Sequence, residues 1–395
     1  MKKRGAVVRS LALVAALATA SSIVDTTPAQ AAAGDCSQPL SSGSAPTASD
    51  CLFILRVAVG SDVCDPECMC APKGTMPATT TDALLCLNKA VGRTVTLACD
   101  CTPATRITVL NLDGANEGFN SEAPASPVGG NSGTTLGAQR LIAFQYAADR
   151  WAELVSSPVE IFVDATFDSL PCNSFGAVLG AAGPLSAFAD FPAAPRASTW
   201  YPAALANKLA GADLDPGASD IVAFFNSAVG TTCDFPLKWY YGLDGNAPSN
   251  RIDFVSVVLH ELGHGLGFLT FVDLSNGQGM SGLDDHYMVH LENHDTGRMF
   301  PEITPSNRLI VMQSGSKLHW VAPNVASGAT SLSTGVTASG HVQMYAPSPV
   351  EPGSSVSHFN TALAPDELME PFYTGPQHDV GLALQLMLDI GWDGR

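Results

Sequence analysis

The helix predicted over residues 250–267 constrains this chain more than any other segment. Asn250 can cap its N-terminus, and Gly267 can end it because glycine adopts positive φ angles without strain. Within this helix, His260 and His264 lie four residues apart, so both imidazoles project from one face about a turn apart. That separation is typical of two ligands to one tetrahedral Zn²⁺ ion.

Glu261 follows the first of these histidines directly. Its carboxylate can reach a water molecule at the metal, and zinc lowers the pKa of such a water. The spacing therefore predicts Glu261 as the catalytic general base. A His-Glu-x-x-His pattern is expected by chance roughly 0.006 times in a chain of this length and composition. Two unrelated core histidines are therefore a poor explanation of the motif.

A catalytic zinc site needs a third protein ligand, with the fourth position left for water. One zincin class continues the motif with a third His six residues after the second, and here Thr270 stands at that place. The ligand must therefore come from elsewhere. Glu292 is one candidate, because another class of zinc hydrolases uses a Glu on a following helix. Gly267 favours a ligand from a later loop, since it lets the chain turn sharply at the helix end.

Two segments of the sequence resemble the leishmanolysin-like branch of the metzincins. They are His260–Phe268 and Ser357–Pro371, and the second contains Ser357-His358-Phe359 and Glu367-Leu368-Met369-Glu370-Pro371. In that branch a long insertion separates the zinc helix from the third His, and a Met-turn follows. The resemblance implies that His358 is the third zinc ligand and that Met369 forms an apolar floor beneath the ligands.

The same resemblance implies an α+β fold of the zincin or metzincin type, with a twisted mixed sheet and a zinc-binding helix. Peptide substrate would then lie extended along an edge strand and take main-chain hydrogen bonds. Hydrophobic patterns predict strands over 107–110, 159–165 and 221–225, a helix over 136–155 and a loop over 172–202. Because the composition does not change after residue 106, residues 104–395 are predicted to form one domain.

Eight of the ten cysteines crowd into residues 36–103, which we interpret as a small disulfide-rich helical module. Residues 47–60 align with residues 79–92, and each copy predicts a capped helix of about three turns. The pair resembles dockerin-like repeats, although neither preceding loop carries the carboxylates that calcium needs. The module is a candidate site for a protein partner. The remaining cysteines, Cys172 and Cys233, are expected to pair with each other.

Three other histidines, His286, His290 and His294, recur at four-residue intervals. On a helix their rings would align and could bind a second metal ion. The residues between them also suit a strand, on which the rings would point apart. A partly exposed segment near the cleft is the simpler interpretation.

Residues 1–31 have the order of a secretory leader. Four positive charges precede an apolar stretch, and Ala29-Gln30-Ala31 offers a small-x-small cleavage site. The abundant cysteines agree with export to an oxidising compartment. Beyond the leader no apolar run is long enough to span a bilayer. The formal net charge of −18 disfavours nucleic acid as a partner.

The sequence thus predicts a secreted zinc-dependent endopeptidase with Glu261 as general base and zinc ligands His260, His264 and His358. Three alternatives stay open. One is a non-catalytic adhesion or scaffold protein with a zincin-like, zinc-binding domain. The second is a zinc hydrolase of the class that uses a Glu ligand, here Glu292. The third is a zinc hydrolase that acts on a small amide or ester.

Overall fold

The computed structural model describes residues 36–41, 45–64, 67–74, 77–99 and 105–395, together with the backbone of Ala6–Val7. The predicted leader, residues 1–31, lies outside the described residues except for that dipeptide. The chain forms two compact units that divide between Pro103 and Ala104. Helices and several small sheets occur together, so the predicted α+β class is confirmed.

The described residues form eight α-helices, all of them shorter than 20 residues. They are α1 (Ala48–Ala58), α2 (Thr80–Ala90), α3 (Leu136–Leu154), α4 (Ala203–Ala210), α5 (Phe254–Leu266), α6 (Pro305–Val311), α7 (Pro323–Gly328) and α8 (Leu382–Ile390). No helix in this part of the chain is long and apolar enough to cross a membrane.

The strands are mostly short and belong to several sheets. They are β1 (Ala6–Val7), β2 (Ile107–Asn111), β3 (Val155–Ser156), β4 (Ile161–Asp168), β5 (Cys172–Asn173), β6 (Gly176–Ala177), β7 (Gly180–Pro184), β8 (Ala187–Ala189), β9 (Thr199–Pro202), β10 (Ile221–Asn226), β11 (Lys238–Tyr240), β12 (Arg251–Asp253), β13 (Asp284–Asp285), β14 (Leu291–Asn293), β15 (Arg298–Met299), β16 (Leu318–Trp320), β17 (Val342–Gln343), β18 (Phe372–Tyr373) and β19 (Asp393–Gly394).

The cysteine-rich unit contains the two helices that the internal repeat predicts. Each begins with a capping box, in which a Thr and an Asp three residues later bond to each other's backbone. The Asp50 carboxylate accepts a hydrogen bond from the Thr47 N–H at 2.7 Å, and Asp82 does the same for Thr79 at 2.9 Å. Both carboxyl groups are fully buried. The repeated Thr-x-x-Asp signature therefore starts both helices by the same local mechanism.

Disulfides hold this small unit together. Cys51 on α1 is bonded to Cys86 on α2, and further bridges are Cys36–Cys99 and Cys64–Cys70. In the larger unit the expected Cys172–Cys233 pair is confirmed. No free thiol occurs among the cysteines that the structure describes.

The central sheet of the larger unit has the strand order β2–β4–β10–β7. The first three strands are parallel, and β7 runs antiparallel at the edge. The predicted strands over 107–110, 159–165 and 221–225 are confirmed as β2, β4 and β10. The predicted loop over 172–202 is wrong, because five short strands, β5 to β9, lie there. The edge strand β7 has the sequence Gly-Ala-Ala-Gly-Pro, which lacks β-branched residues, and its backbone is extended because it pairs with β10.

Helix α5 is buried along its whole length and lies between α3 and the sheet. On one side, the Trp151 indole of α3 donates a hydrogen bond to the Leu259 carbonyl of α5 at 2.9 Å. The predicted N-cap Asn250 is wrong. Asp253 caps the helix instead, accepting from the Ser256 N–H at 2.8 Å, because residues 251–253 are extended as β12 and pair with β11. Gly267 ends the helix with φ +128°, as predicted.

A second four-stranded sheet of the larger unit, with the order β15–β14–β16–β17, is wholly antiparallel. Its inner side chains belong to the hydrophobic core of the unit, among them Leu291, Leu318, Trp320 and Val342. The opposite face carries polar groups.

Candidate metal centre

Three imidazoles meet in the core of the larger unit. His260 and His264 lie one turn apart on α5, and His358 comes from the loop after β17. The Nε2 atom of His260 is 3.1 Å from that of His264 and 3.1 Å from that of His358, and the third side of the triangle is 3.2 Å. All three side chains are buried. The structure therefore brings together the three histidines that the sequence proposed as ligands.

Hydrogen bonds determine which nitrogen of each ring carries its proton. The Nδ1 atom of His260 is 2.7 Å from the Leu368 carbonyl, and that of His264 is 2.8 Å from the Phe268 carbonyl. The Nδ1 atom of His358 is 2.7 Å from the carbonyl of Ser354. A carbonyl oxygen only accepts, so each Nδ1 donates. In the neutral rings the three Nε2 atoms consequently present bare lone pairs to one another.

Three converging lone pairs repel each other unless a cation lies between them. Burial lowers the pKa of His260 to about 4 and that of His264 to about 3, and it lowers the pKa of His358 well below its usual range. The rings are thus neutral near pH 7, the state in which imidazole binds metals. A point about 1 Å from the plane of the nitrogens lies about 2.0–2.1 Å from each, which matches a zinc–imidazole bond. The group fits a divalent metal ion.

Glu292, the alternative third ligand, does not join these rings. It lies in β14 and belongs to a separate group with His294 and His341.

The three regularly spaced histidines, His286, His290 and His294, do not align with one another. His286 contacts the Gly267 carbonyl through Nε2 at 2.8 Å, and the His290 ring packs against Trp320 with centroids 5.0 Å apart. These rings share no helix face, because the segment forms a 3₁₀ turn followed by β14.

The carboxylate of Glu261 is fully buried, and neither oxygen has a protein partner of regular hydrogen-bond geometry among the described residues. Burial raises its pKa to about 8, an effect that the nearby backbone of Ala182 offsets only in part. The edge strand β7 passes beside it. A Cβ placed on Gly180 would lie 3.0 Å from the Glu261 Cγ. A carboxyl group in this environment can hold or release a proton near neutral pH.

Beneath the histidines lies the segment around Met369, which is fully buried. A Cβ added to Gly263 of α5 would come within 2.8 Å of the Met369 sulfur, so a larger residue there would force the Met369 side chain to shift. The neighbouring Leu368 carbonyl orients the His260 ring. Met369 and its neighbours therefore position the helix face that carries His260 and His264 through packing and a backbone hydrogen bond.

A small pocket opens beside His260. Its lining combines apolar and acidic groups, including Val257, Phe372 and the carboxyl-bearing Glu370. Tyr373 also borders the pocket, and its hydroxyl accepts a hydrogen bond from the Asp253 N–H at 2.9 Å. In this structure Tyr373 thus fixes the start of α5.

Several residues that build the site gave no recognisable signal in the sequence. Ser354 orients His358 through its carbonyl, a group that every residue possesses. Gly180 stands beside Glu261 only because β7 pairs with β10. Asp253 could have been recognised, since Asp is a preferred N-cap residue and here it stands directly before the apolar run of the helix.

Searches with the whole chain against protein-family models, curated proteins and solved structures found no match.

Proposed function

We propose that the protein is a zinc-dependent endopeptidase of the zincin or metzincin type. His260, His264 and His358 are the zinc ligands, and Glu261 is the catalytic base. The observation that carries this proposal is the convergence of three bare Nε2 atoms within 3.2 Å of one another. That donor set leaves a fourth position for water or substrate, as in catalytic rather than structural zinc sites.

The fold around the site supports this class. A mixed sheet with an antiparallel edge strand lies next to the helix of the His-Glu-x-x-His motif. Met369 packs beneath the ligands against Gly263, in the place that the resemblance to leishmanolysin-like metzincins implies. These features come from distant parts of the chain and agree with one another.

An extended peptide is the substrate that suits this cleft. Strand β7 is the last in its sheet, so its outer edge can add a substrate strand through main-chain hydrogen bonds. Its side chains are small, and a Cβ on Gly183 would meet nothing within 4 Å. Both features favour a polypeptide over a small amide or ester.

Peptide hydrolysis requires a proton to leave the attacking water and another to reach the departing amine. When bound, zinc supplies a Lewis acid that polarises the scissile carbonyl and makes water more acidic. Glu261 takes the proton of the attacking water as the new C–O bond forms. It then gives that proton to the amine nitrogen as the C–N bond breaks. The absence of a regular hydrogen-bond partner leaves the Glu261 oxygens available for both transfers.

We infer that the enzyme acts outside the cytosol. The disulfides of both units are stable in an oxidising compartment, and the predicted leader agrees with export. The cysteine-rich unit exposes apolar residues on both of its helices, Leu52 and Val59 on or beside α1 and Leu84 on α2. A protein partner for this unit is a secondary part of the proposal.

The test compares the purified full chain with its Glu261→Gln variant on an unstructured protein substrate. We expect kcat/KM to fall about 10²–10⁴-fold, the usual contribution of a general base, with zinc content unchanged. Glu153→Gln, which removes an exposed carboxylate from α3, is the matched control and should cleave like the wild type. Equal cleavage by Glu261→Gln would refute the proposal. A zinc-loaded wild type that cleaves nothing would favour the scaffold alternative.

A further inference from the structure

The polar face of the second sheet gathers several metal-binding side chains away from the centre described above. Glu292 on β14 lies directly opposite His319 on β16. His294 follows Glu292 by two residues, and side chains two apart on a strand share a face. His341 precedes Gln343, the partner of His319 on β17, by the same interval. The antiparallel register thus places four ionisable groups on one side.

Three of these side chains are in direct contact. One carboxylate oxygen of Glu292 is 3.0 Å from the Nδ1 atom of His294, and the other is 3.1 Å from the Nδ1 atom of His341. Each residue offers a ligand atom within 4.8 Å of the other two. Glu292 is buried, whereas His294 is partly exposed, so the group is reachable from solvent at one end.

His319 is a second, independent sign that this face is built for a ligand. It is 2% exposed, and neither ring nitrogen has a hydrogen-bond partner among the described residues. Its ring lies 4.1 Å from the His294 ring, centroid to centroid. Burying an imidazole without partners costs free energy. A ligand bound on this face, for which His319 and the neighbouring imidazoles could compete, would explain that cost.

We propose that Glu292, His294 and His341 bind a second Zn²⁺ ion with a structural role. Two imidazoles and one carboxylate form a donor set that zinc accepts, and water or a rotated His319 can fill the fourth position. The ion would link β14 to the segment that enters β17, two strands separated in the sheet by β16. It would thereby stabilise the sheet without taking part in peptide hydrolysis.

The same distances also fit a carboxylate that merely pairs with two imidazoles, and zinc stoichiometry separates the two cases. The measurement is zinc per chain after dialysis against buffered Zn²⁺, for the wild type, Glu292→Gln and His341→Ala. The control is Asp295→Asn, which alters an exposed carboxylate on the same hairpin that contacts Lys317. We expect about two zinc ions in the wild type and control, and one fewer in both second-site variants.

Measurements of peptidase activity distinguish the proposed second zinc site from the proposed catalytic site. The second-site variants should retain cleavage while losing one zinc ion and several degrees of melting temperature. Should His341→Ala fail to fold, His341→Gln keeps much of the side-chain volume without a ring nitrogen and decides the question. Equal zinc content in the wild type and all natively folded variants overturns the second site, and so does a wild type whose only zinc is lost in His358→Ala.

Discussion

Met369 packs so closely against Gly263 that a Cβ at residue 263 would lie 2.8 Å from the Met369 sulfur and 3.2 Å from its terminal methyl carbon. Residue 263 lies on α5 between the two histidines of the motif, so this contact supports from below the helix face that carries both rings. Any larger residue at this position would force the Met369 side chain to shift, so packing favours the glycine of His-Glu-Leu-Gly-His independently of any chemistry.

Gly263→Ala is expected to destabilise the chain by about 1–3 kcal/mol, the usual cost of overpacking a core. Displacement of Met369 and of the adjacent Leu368 carbonyl should also weaken zinc binding at His260. Urea unfolding and zinc affinity measure the two effects. Gly183→Ala is the matched control, because a Cβ there meets nothing within 4 Å. Equal stability of the two variants would show that the Met369 contact is not tight.

His358→Ala is expected to lower the zinc affinity of the proposed catalytic site at least about 10²-fold and to abolish peptide cleavage, since two imidazoles remain where three are needed. Glu292→Gln should leave cleavage intact, because Glu292 lies in a separate group. Isothermal titration with Zn²⁺ measures the zinc affinity of each variant, and a cleavage assay measures its activity. The reverse pattern would assign the third ligand to Glu292.

Glu370→Gln is expected to stabilise the protein at neutral and higher pH. Burial is the main cause that raises the pKa of Glu370 to about 8, and the charges of Asp366 and Glu367 add to it. In the unfolded chain the Glu370 carboxyl ionises near pH 4, whereas in the folded protein it stays protonated up to about pH 8. The unfolded state therefore releases this proton first, and the wild type loses stability as the pH rises from about 4 to 8. The gain should reach about 4 kcal/mol at pH 8 and vanish near pH 4.

Urea unfolding at pH 4, 6 and 8 tests this sign. The Gln amide can still accept the hydrogen bond that the Glu367 N–H donates to Glu370 at 2.9 Å. Glu122→Gln, at an exposed position, provides the control and should show no pH-dependent gain. A loss of stability in Glu370→Gln at pH 8 contradicts the expectation.

Asp50→Asn is expected to destabilise α1 at neutral pH by about 1–2 kcal/mol, the typical cost of a lost helix cap. Burial alone would raise the pKa of Asp50, but hydrogen bonds from Thr47, Ser41 and the backbone lower it to about 2. In the wild type this contribution is full above about pH 4 and disappears as the pH falls towards 2. Amide hydrogen exchange of α1 between pH 5 and 2.5 measures the effect.

At the acid end of this range the stabilities of the wild type and Asp50→Asn should approach each other, since the wild-type carboxyl becomes increasingly protonated as the pH falls towards 2. Asp149→Asn on α3 is the control for a general charge effect, because that carboxylate is exposed. If amide exchange of α1 were equal in the wild type, Asp50→Asn and Asp149→Asn at every pH, Asp50 would have no capping role.

Local patterns predicted the parts of this protein that depend on neighbours in sequence. The i, i+4 spacing of His260 and His264 determines their common face, because helix geometry does so in any context. The Thr-x-x-Asp repeats likewise predicted α1 and α2, since a capping box needs only four consecutive residues. Alternation in residues 159–165 predicted β4 for the same reason.

Tertiary structure decided everything that depends on distant segments. His358 lies 94 residues after His264, and a resemblance pointed to it where spacing could not. The Gly-Ala-Ala-Gly-Pro sequence of β7 has no strand signal, and only pairing with β10 makes it the edge beside Glu261. Glu292 and His341 meet through the register of three antiparallel strands. Such contacts depend on how whole elements pack, and a residue's immediate neighbours contain no information about them.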